Sequence, residues 1–204
     1  QMERQGRVLA RAHQVSLEPA PDRLLDRLLD NRRVLERASA MLEAAVQAQR
    51  RMTPAAEWLL DNVYLIEEQI RTAQRHLPAG YSRELPRLTS GPSSGFPRVY
   101  DIALSAISHG DGRVDAESLS RFVSAYQSVT PLRLGELWAI PIMLRLALIE
   151  NLRRVSARVS VHRVDRAVAE VWSDRLTEVA ESDPKSLVLV LADMVRSKPP
   201  MSPT

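Results

Sequence analysis

Two apolar runs in the first part of the chain repeat every three to four residues, the spacing of one face of an α-helix. The first run comprises Leu24, Leu28, Leu35, Ala38, Leu42 and Ala45, and the second comprises Leu59, Val63, Ile66, Ile70, Ala73 and Leu77. Thr53 and Pro54 stand between the runs and supply a helix cap followed by proline at the first helical position. These patterns predict a hairpin of two antiparallel helices over residues 21–77.

A helical bundle is predicted over residues 98–197. A short helix is expected over about 98–108, and a second over about 116–129 with Asp115 as its cap. A final helix is expected over about 185–197. Its apolar residues Leu187, Leu191, Met194 and Val195 are expected to face inward.

The helix that Thr130-Pro131 opens contains the most apolar part of the chain, together with Pro141. Proline removes a backbone donor and clashes with the preceding turn, so we expect a kink or a break just before Pro141. No glycine or proline follows from Ile142 to Asp183. Because one helix of that length would reach roughly 60 Å, a bend is expected within Val155–Val164, where β-branched residues and serines are frequent.

The stretch 79–97 is rich in proline, glycine and serine, which predicts a long loop at 78–97 between the hairpin and the bundle. Its apolar residues Tyr81, Leu85, Leu88 and Phe96 predict that this loop packs on the helices. The fold class is therefore all-α, a multi-helix bundle of about six to eight helices forming one domain over 21–197. Residues 1–20 are expected to be a flexible segment and 198–204 a disordered tail. Gln1 before Met2, and the end KPPMSPT without a closing element, also suggest a piece excised from a longer polypeptide.

Composition and charge exclude several classes of function for this chain. Aromatic residues make up 4% of the chain, and no cysteine is present, which excludes a disulfide, a thiolate zinc site and a thiol nucleophile. The formal charge is +3, but acids and bases alternate along the chain, so the patch that nucleic-acid binding needs is missing and no nucleic-acid partner is expected. The apolar run Glu136–Leu152 is shorter than the roughly 20 residues that span a bilayer, so no transmembrane segment is expected.

The stretch Ile107–Phe122 superficially resembles half of a calcium-binding EF-hand. If Gly112 took the sixth loop position, Ile107 and His109 would occupy ligand positions one and three, and Ser118 would replace the bidentate glutamate. Three oxygen ligands would be missing. A glycine turn followed by a capped helix fits these residues instead, and we expect no metal site.

Three blocks of sequence carry a resemblance to a known family. They are PAAEWLLDNVYLIEEQI (54–70), HLPAGYSRELPRL (76–88) and the long block from GFPRVYDIALSAISHG through GELWAIPIMLRLALIENLRRV (95–155). They resemble the N-terminal region of the bacterial cyclic β-1,2-glucan synthases over about half of the chain.

That resemblance implies a transferase context. Members of the family are large inner-membrane glycosyltransferases that build a β-1,2-linked glucan from UDP-glucose, and UDP-glucose and a divalent metal are implied for the full synthase. The similar segment should lie on the cytoplasmic side of the inner membrane, with the remaining domains of the synthase as partners. The Asp-x-Asp and Gln-x-x-Arg-Trp motifs of processive transferases are absent from this sequence, so no catalytic residue and no cofactor are expected in this region.

Two functions therefore remain from the sequence. The first is a helical scaffold that docks on the catalytic parts of the synthase. The alternative is a module that contacts the β-1,2-glucan or the sugar donor, with an aromatic residue stacking on glucose beside hydrogen-bonding side chains. The candidate residues for that contact are Tyr81, Arg83, Glu84, Tyr100, Asp101 and Trp138. Trp138 lies in the most apolar run, which favours a place in the core, and Arg83 and Glu84 could form an internal ion pair.

Overall fold

The computed structural model describes residues 2–49, 52–77, 80–110 and 115–197. The elements are α1 (Met2–Ala12), β1 (Val15–Ser16), α2 (Leu24–Gln47), α3 (Pro54–Asp61), α4 (Val63–Arg75), β2 (Arg87–Leu88), α5 (Arg98–His109), α6 (Ala116–Gln127), α7 (Leu134–Ser182), a 3₁₀ turn (Pro184–Ser186) and α8 (Leu187–Ser197). The prediction of an all-α bundle is confirmed. Residues 78–79 and 198–204, parts of the predicted loop and tail, lie outside the described residues.

The first part of α7 is the centre of the fold. It packs on α2 and α5 and also touches α3 and α4. The main core joins buried side chains of these helices, among them Leu42 on α2, Ala73 on α4, Val99 on α5 and Met143 on α7. A second apolar cluster lies between α1, α5 and α6 around Phe122.

Residues 2–12 form a packed helix where the sequence predicted a flexible segment. Gly6 and Ala10, one turn apart, are buried where α1 lies on α6. A side chain at Gly6 would place its Cβ 2.6 Å from the Phe122 carbonyl oxygen. The absence of that side chain allows the two helices to approach closely, which explains why a polar, charge-rich segment still docks.

The loop before α5 is fixed by a two-stranded antiparallel pair. Val15 pairs with Leu88 and Ser16 with Arg87. The Arg87 guanidinium donates to the carbonyl oxygens of Gly95 at 2.9 Å and Ser82 at 3.0 Å. Leu88 is buried, and Leu85 and Phe96 pack against the main core. The described part of this loop is therefore packed as predicted, except at Tyr81, which is 36% exposed.

The second helix of the predicted hairpin is two helices. Thr53 caps α3 as expected, and its hydroxyl accepts the Ala56 amide at 3.3 Å. Asn62 then separates α3 from α4, and its side-chain amide donates to the Trp58 carbonyl at 2.7 Å. The Trp58 carbonyl accepts the backbone amide of Asn62 as well, at 3.1 Å, so both amides of Asn62 bond back to α3 where that helix ends.

Pro141 does not break the helix, whereas the kink there and the bend within Val155–Val164 stay predictions: α7 is a single helix of 49 residues. At about 1.5 Å per residue it extends roughly 73 Å. Pro141 lies on the exposed side of α7, where water can reach the carbonyl that its missing amide leaves unpaired. No helix in the described part of the chain is long and apolar enough to cross a membrane.

Two residues of the last helix, α8, that were predicted to face inward face solvent instead. Leu191 and Val195 are exposed, and Val190 is buried instead. An ion pair between Arg175 and Asp193 at 3.3 Å joins α8 to the second half of α7. The residue spacing alone could not decide which apolar side of so uniformly apolar a helix meets α7.

Candidate functional site

The solvent-facing side of the first half of α7 is apolar. We call it the outer face of α7, and its exposed residues are Leu134, Trp138, Pro141, Leu148 and Val155. Leu137, Leu144 and Leu152 belong to the same face but are half-buried and pack partly against the core. Trp138 is 75% exposed and Leu134 63% exposed. A helix that is apolar all round is normally buried all round. Only one side of α7 packs on the core, so this face has the composition of an interface.

Trp138 was expected in the core, and the structure contradicts that expectation. The sequence around Trp138 is apolar on every side of the helix. The apolar pattern therefore does not show which of the two faces packs on the core. Ala139, Met143 and Ala147 occupy the core side, where small or flexible residues permit close packing with α2 and α5. Trp138 is left on the outer face.

Every charged residue on α7 from Leu134 to Val159 that reaches solvent is an arginine. Arg154 and Arg158 are exposed, and Arg145 and Arg153 are partly exposed. The two acids of this stretch, Glu136 and Glu150, are fully buried. The outer face is therefore apolar, with the cation Arg145 within it and the cation Arg158 beside it.

Glu136 is buried because it pairs with Arg98 of α5. The Arg98 guanidinium donates from Nε to Glu136 Oε1 at 2.6 Å and from Nη2 to Glu136 Oε2 at 2.7 Å. Hydrogen bonding to Glu136 raises the pKa of Arg98 above its ordinary value, against the lowering effect of burial. Glu136 Oε2 also accepts the Arg133 amide at 2.9 Å. The same carboxylate thus caps α7 and fixes it to α5.

Glu150 pairs with arginines of two helices, α2 and α7. It accepts from Arg27 Nε at 2.9 Å and from Arg153 Nη2 at 2.8 Å, and Arg154 Nε lies 3.6 Å away. Burial alone would raise the pKa of Glu150, but hydrogen bonds from Arg27, Arg153 and Asn31 outweigh it and hold the pKa below its usual range. This cluster ties the Arg153 and Arg154 side chains to a buried carboxylate, which offsets part of their charge.

Tyr100 and Asp101 were candidates for glycan contact, and neither is free for it. Tyr100 is 3% exposed, and burial raises its pKa to about 12. A ring so deeply buried cannot serve as a stacking platform. The sequence could not show this, because Tyr100 and Asp101 point to different sides of α5 and either could have faced solvent.

Asp101 belongs to a polar network between α1, the loop and α6. One carboxylate oxygen lies 3.1 Å from His13 Nε2 and the other accepts the Ser93 hydroxyl. His13 Nδ1 lies 2.8 Å from the Tyr126 hydroxyl. Burial raises the pKa of Asp101, but the hydrogen bonds from His13 and Ser93 outweigh it and lower the pKa below its usual value. The aspartate lies between the serine and the histidine, so the histidine does not face the hydroxyl and no nucleophilic triad is formed.

The remaining candidates lie on different elements. Tyr81, Arg83 and Glu84 are exposed on the turn after Gly80, whereas Trp138 is on α7. The structure supplies no group of three His, Cys, Asp or Glu side chains able to hold a metal among the residues it describes. Asp115 accepts the Ser118 amide at 2.8 Å, which confirms its role as the α6 cap; residues 111–114 of the EF-hand-like stretch lie outside the described residues.

A shallow cleft of about 170 Å³ lies between α2 and the α3–α4 pair. Leu35, Leu59 and Ile66 contribute apolar lining, and Glu43 and Glu67 contribute acidic lining. Sequence reasoning missed this cleft because it depends on how far α2 stands from α3 and α4.

Comparison with known proteins identifies a relative, although no family model matches the chain. The chain is 37% identical over 164 residues to the cyclic β-(1,2)-glucan synthase NdvB of Rhizobium meliloti, a match that covers 80% of this chain and 6% of that protein. The chain therefore spans a small part of the length of the relative it matches.

Proposed function

Since this chain corresponds to a region of the cyclic β-(1,2)-glucan synthase family, we propose that it is a non-catalytic helical domain that docks on the catalytic parts of such a synthase. The remaining domains would transfer glucose from UDP-glucose with a divalent metal, at the cytoplasmic side of the bacterial inner membrane. This helical region would hold those parts in place.

The observation that carries this function is the exposed outer face of α7. Leu134, Trp138, Leu148 and Val155 are each at least 40% exposed on a single helix. Full burial of one such side chain stabilises by about 1.5–3 kcal/mol. A face with four of them, on the helix that also organises the core, fits an interface with a larger assembly.

The full-length synthase provides the test. Leu148→Glu would place a charge in the middle of the interface, and we expect it to lower glucan formation from UDP-glucose and to abolish co-purification of this chain with a separately expressed remainder of the synthase. Leu17→Glu is the matched control, because Leu17 is 61% exposed and lies outside α7, between β1 and α2. Full synthase activity after deletion of this region, with no association at micromolar concentration, would refute the docking function.

A second candidate function is direct contact with glycan, and the exposed Trp138 favours it. An indole at 75% exposure can stack on a glucose ring, and Tyr81 with Arg83 and Glu84 offers a second accessible group. Calorimetric titration with linear β-1,2-glucooligosaccharides, and separately with UDP-glucose, distinguishes the two functions. Saturable binding that is lost in Trp138→Ala or Tyr81→Ala would favour the glycan-contacting module. The absence of binding to either ligand at millimolar concentration would favour docking.

A further inference from the structure

We infer that the segment docking on the outer face of α7 is an acidic amphipathic α-helix of the same synthase. This inference rests on the docking function proposed above and specifies the chemistry of the partner. It is drawn from the spacing of the apolar residues and from the sign of the charges within and beside the face.

The apolar residues of the outer face follow a seven-residue repeat. Leu134, Pro141, Leu148 and Val155 are seven apart, and Trp138 and Leu152 stand at the intermediate position of the first and third repeats. This alternation of three and four is the seam that a second helix packs against in coiled-coil geometry. A partner helix with apolar residues at the same spacing would cover the face along its length.

Arg145 occupies the intermediate position of the second repeat. Its guanidinium Nη1 lies 3.4 Å from His76 Nδ1, and it makes no ion pair with a carboxylate in the part of the chain that the structure describes. Covering the face would remove Arg145 from water without a counter-charge. A glutamate or aspartate on the partner helix would supply one with charge-assisted hydrogen bonds.

The charge beside the face also favours an acidic partner. Arg158 is exposed beside the seam, whereas Arg154 lies on the opposite side of α7 and pairs with Glu150 at 3.6 Å. Glu136 pairs with Arg98, and Glu150 pairs with Arg27, Arg153 and Arg154, so neither acid offsets Arg145 or Arg158. Complementary charge at a rim favours association and specificity, so the partner helix should carry its acids at the flanks of its apolar stripe.

A lipid surface would also accept apolar residues with basic neighbours, but the position of Arg145 favours a helix. Arg145 lies within the apolar seam, between Pro141 and Leu148. Acyl chains contain no hydrogen-bond acceptor, so burying a guanidinium among them is costly. A facing carboxylate on a helix removes that cost.

The test measures the affinity of this chain for the separately expressed remainder of the synthase. We expect the double substitution Arg145→Glu/Arg158→Glu to weaken binding roughly tenfold or more, and the wild-type affinity to fall as salt increases. Arg33→Glu/Arg121→Glu is the matched control, because it makes the same change in net charge at two exposed arginines on α2 and α6. Its affinity should stay near the wild-type value.

The outcomes separate this inference from the docking function. If Leu148→Glu abolishes binding while the Arg145/Arg158 substitutions and salt have no effect, docking stands and the acidic character of the partner is refuted. If neither substitution changes the affinity, both fail. If the chain instead binds phosphatidylglycerol vesicles through Leu148 and ignores the remainder of the synthase, lipid is the occupant and the helix partner is refuted.

Discussion

Removing the carboxylate of Glu136 should leave the Arg98 guanidinium buried without a counter-charge. Glu136 is fully buried, and the Arg98 residue that faces it is 5% exposed. In Glu136→Ala the guanidinium keeps a hydrogen bond to the Pro131 carbonyl at 2.8 Å and its position 6.0 Å from the Tyr126 ring. Neither contact neutralises a full charge, so we expect a large loss of stability.

The magnitude follows from the cost of an unpaired buried charge. Breaking a buried pair by removing one partner typically costs about 3–5 kcal/mol, and loss of the α7 cap falls within the same substitution. For a chain of this size, each kcal/mol lowers the melting temperature by about 2–4 °C. We therefore expect Glu136→Ala to lower it by roughly 6–20 °C.

Far-ultraviolet circular dichroism measures both quantities: thermal unfolding gives the melting temperature, and urea unfolding gives the free energy of unfolding. The double variant Arg98→Met/Glu136→Leu should recover at least half of the lost stability, because it removes both charges and fills their volume. Arg32→Ala, which breaks an exposed ion pair to Glu36, should change the midpoint little. A Glu136→Ala protein within about 1 kcal/mol of wild type, or a double variant no better than the single one, would refute the reasoning.

Two further predictions concern packing and acid stability. Gly6→Ala should destabilise the chain by about 1–3 kcal/mol in urea unfolding, because its Cβ would meet the Phe122 carbonyl. Gly135→Ala, with open space around it, should be neutral or stabilise by up to about 1 kcal/mol. Equal effects of the two substitutions would contradict the close approach of α1 and α6. The lowered pKa values of Glu150 and Asp101 mean that their stabilisation is present above about pH 4.5 and is lost as pH falls through the folded-state pKa values. The urea midpoint should therefore drop between about pH 7 and about pH 3.5, and by less in Glu150→Gln and Asp101→Asn; an unchanged drop in both variants would contradict the assigned ion pairs.

Helix content and most core positions could be predicted from periodicity. Leu24, Leu28, Leu35 and Leu42 are all buried in α2, because an amphipathic helix has one apolar side and no ambiguity about which side faces inward. The N-caps at Thr53 and Asp115 were equally predictable, because their hydrogen bonds are local.

The outer face of α7 could not be assigned from the sequence for the opposite reason. Where both sides of a helix are apolar, as around Trp138, spacing does not say which side meets the core. The burial of Tyr100 and the packing of α1 through Gly6 depend on contacts between distant parts of the chain, which no local pattern encodes. Apolar periodicity after Thr53 predicted one second helix of the hairpin, but the structure divides it into two at Asn62.

The most direct measurement is the accessibility of a thiol placed on the outer face of α7. Because the chain contains no cysteine, Leu148→Cys introduces a single reactive group into this region, and its labelling by maleimide can be followed by peptide mass spectrometry. We predict rapid labelling in the isolated chain and strong protection in the assembled synthase, with Leu17→Cys labelled rapidly in both. Equal labelling of the thiol at position 148 in the isolated chain and in the assembled synthase would show that nothing covers this face and would contradict docking through α7.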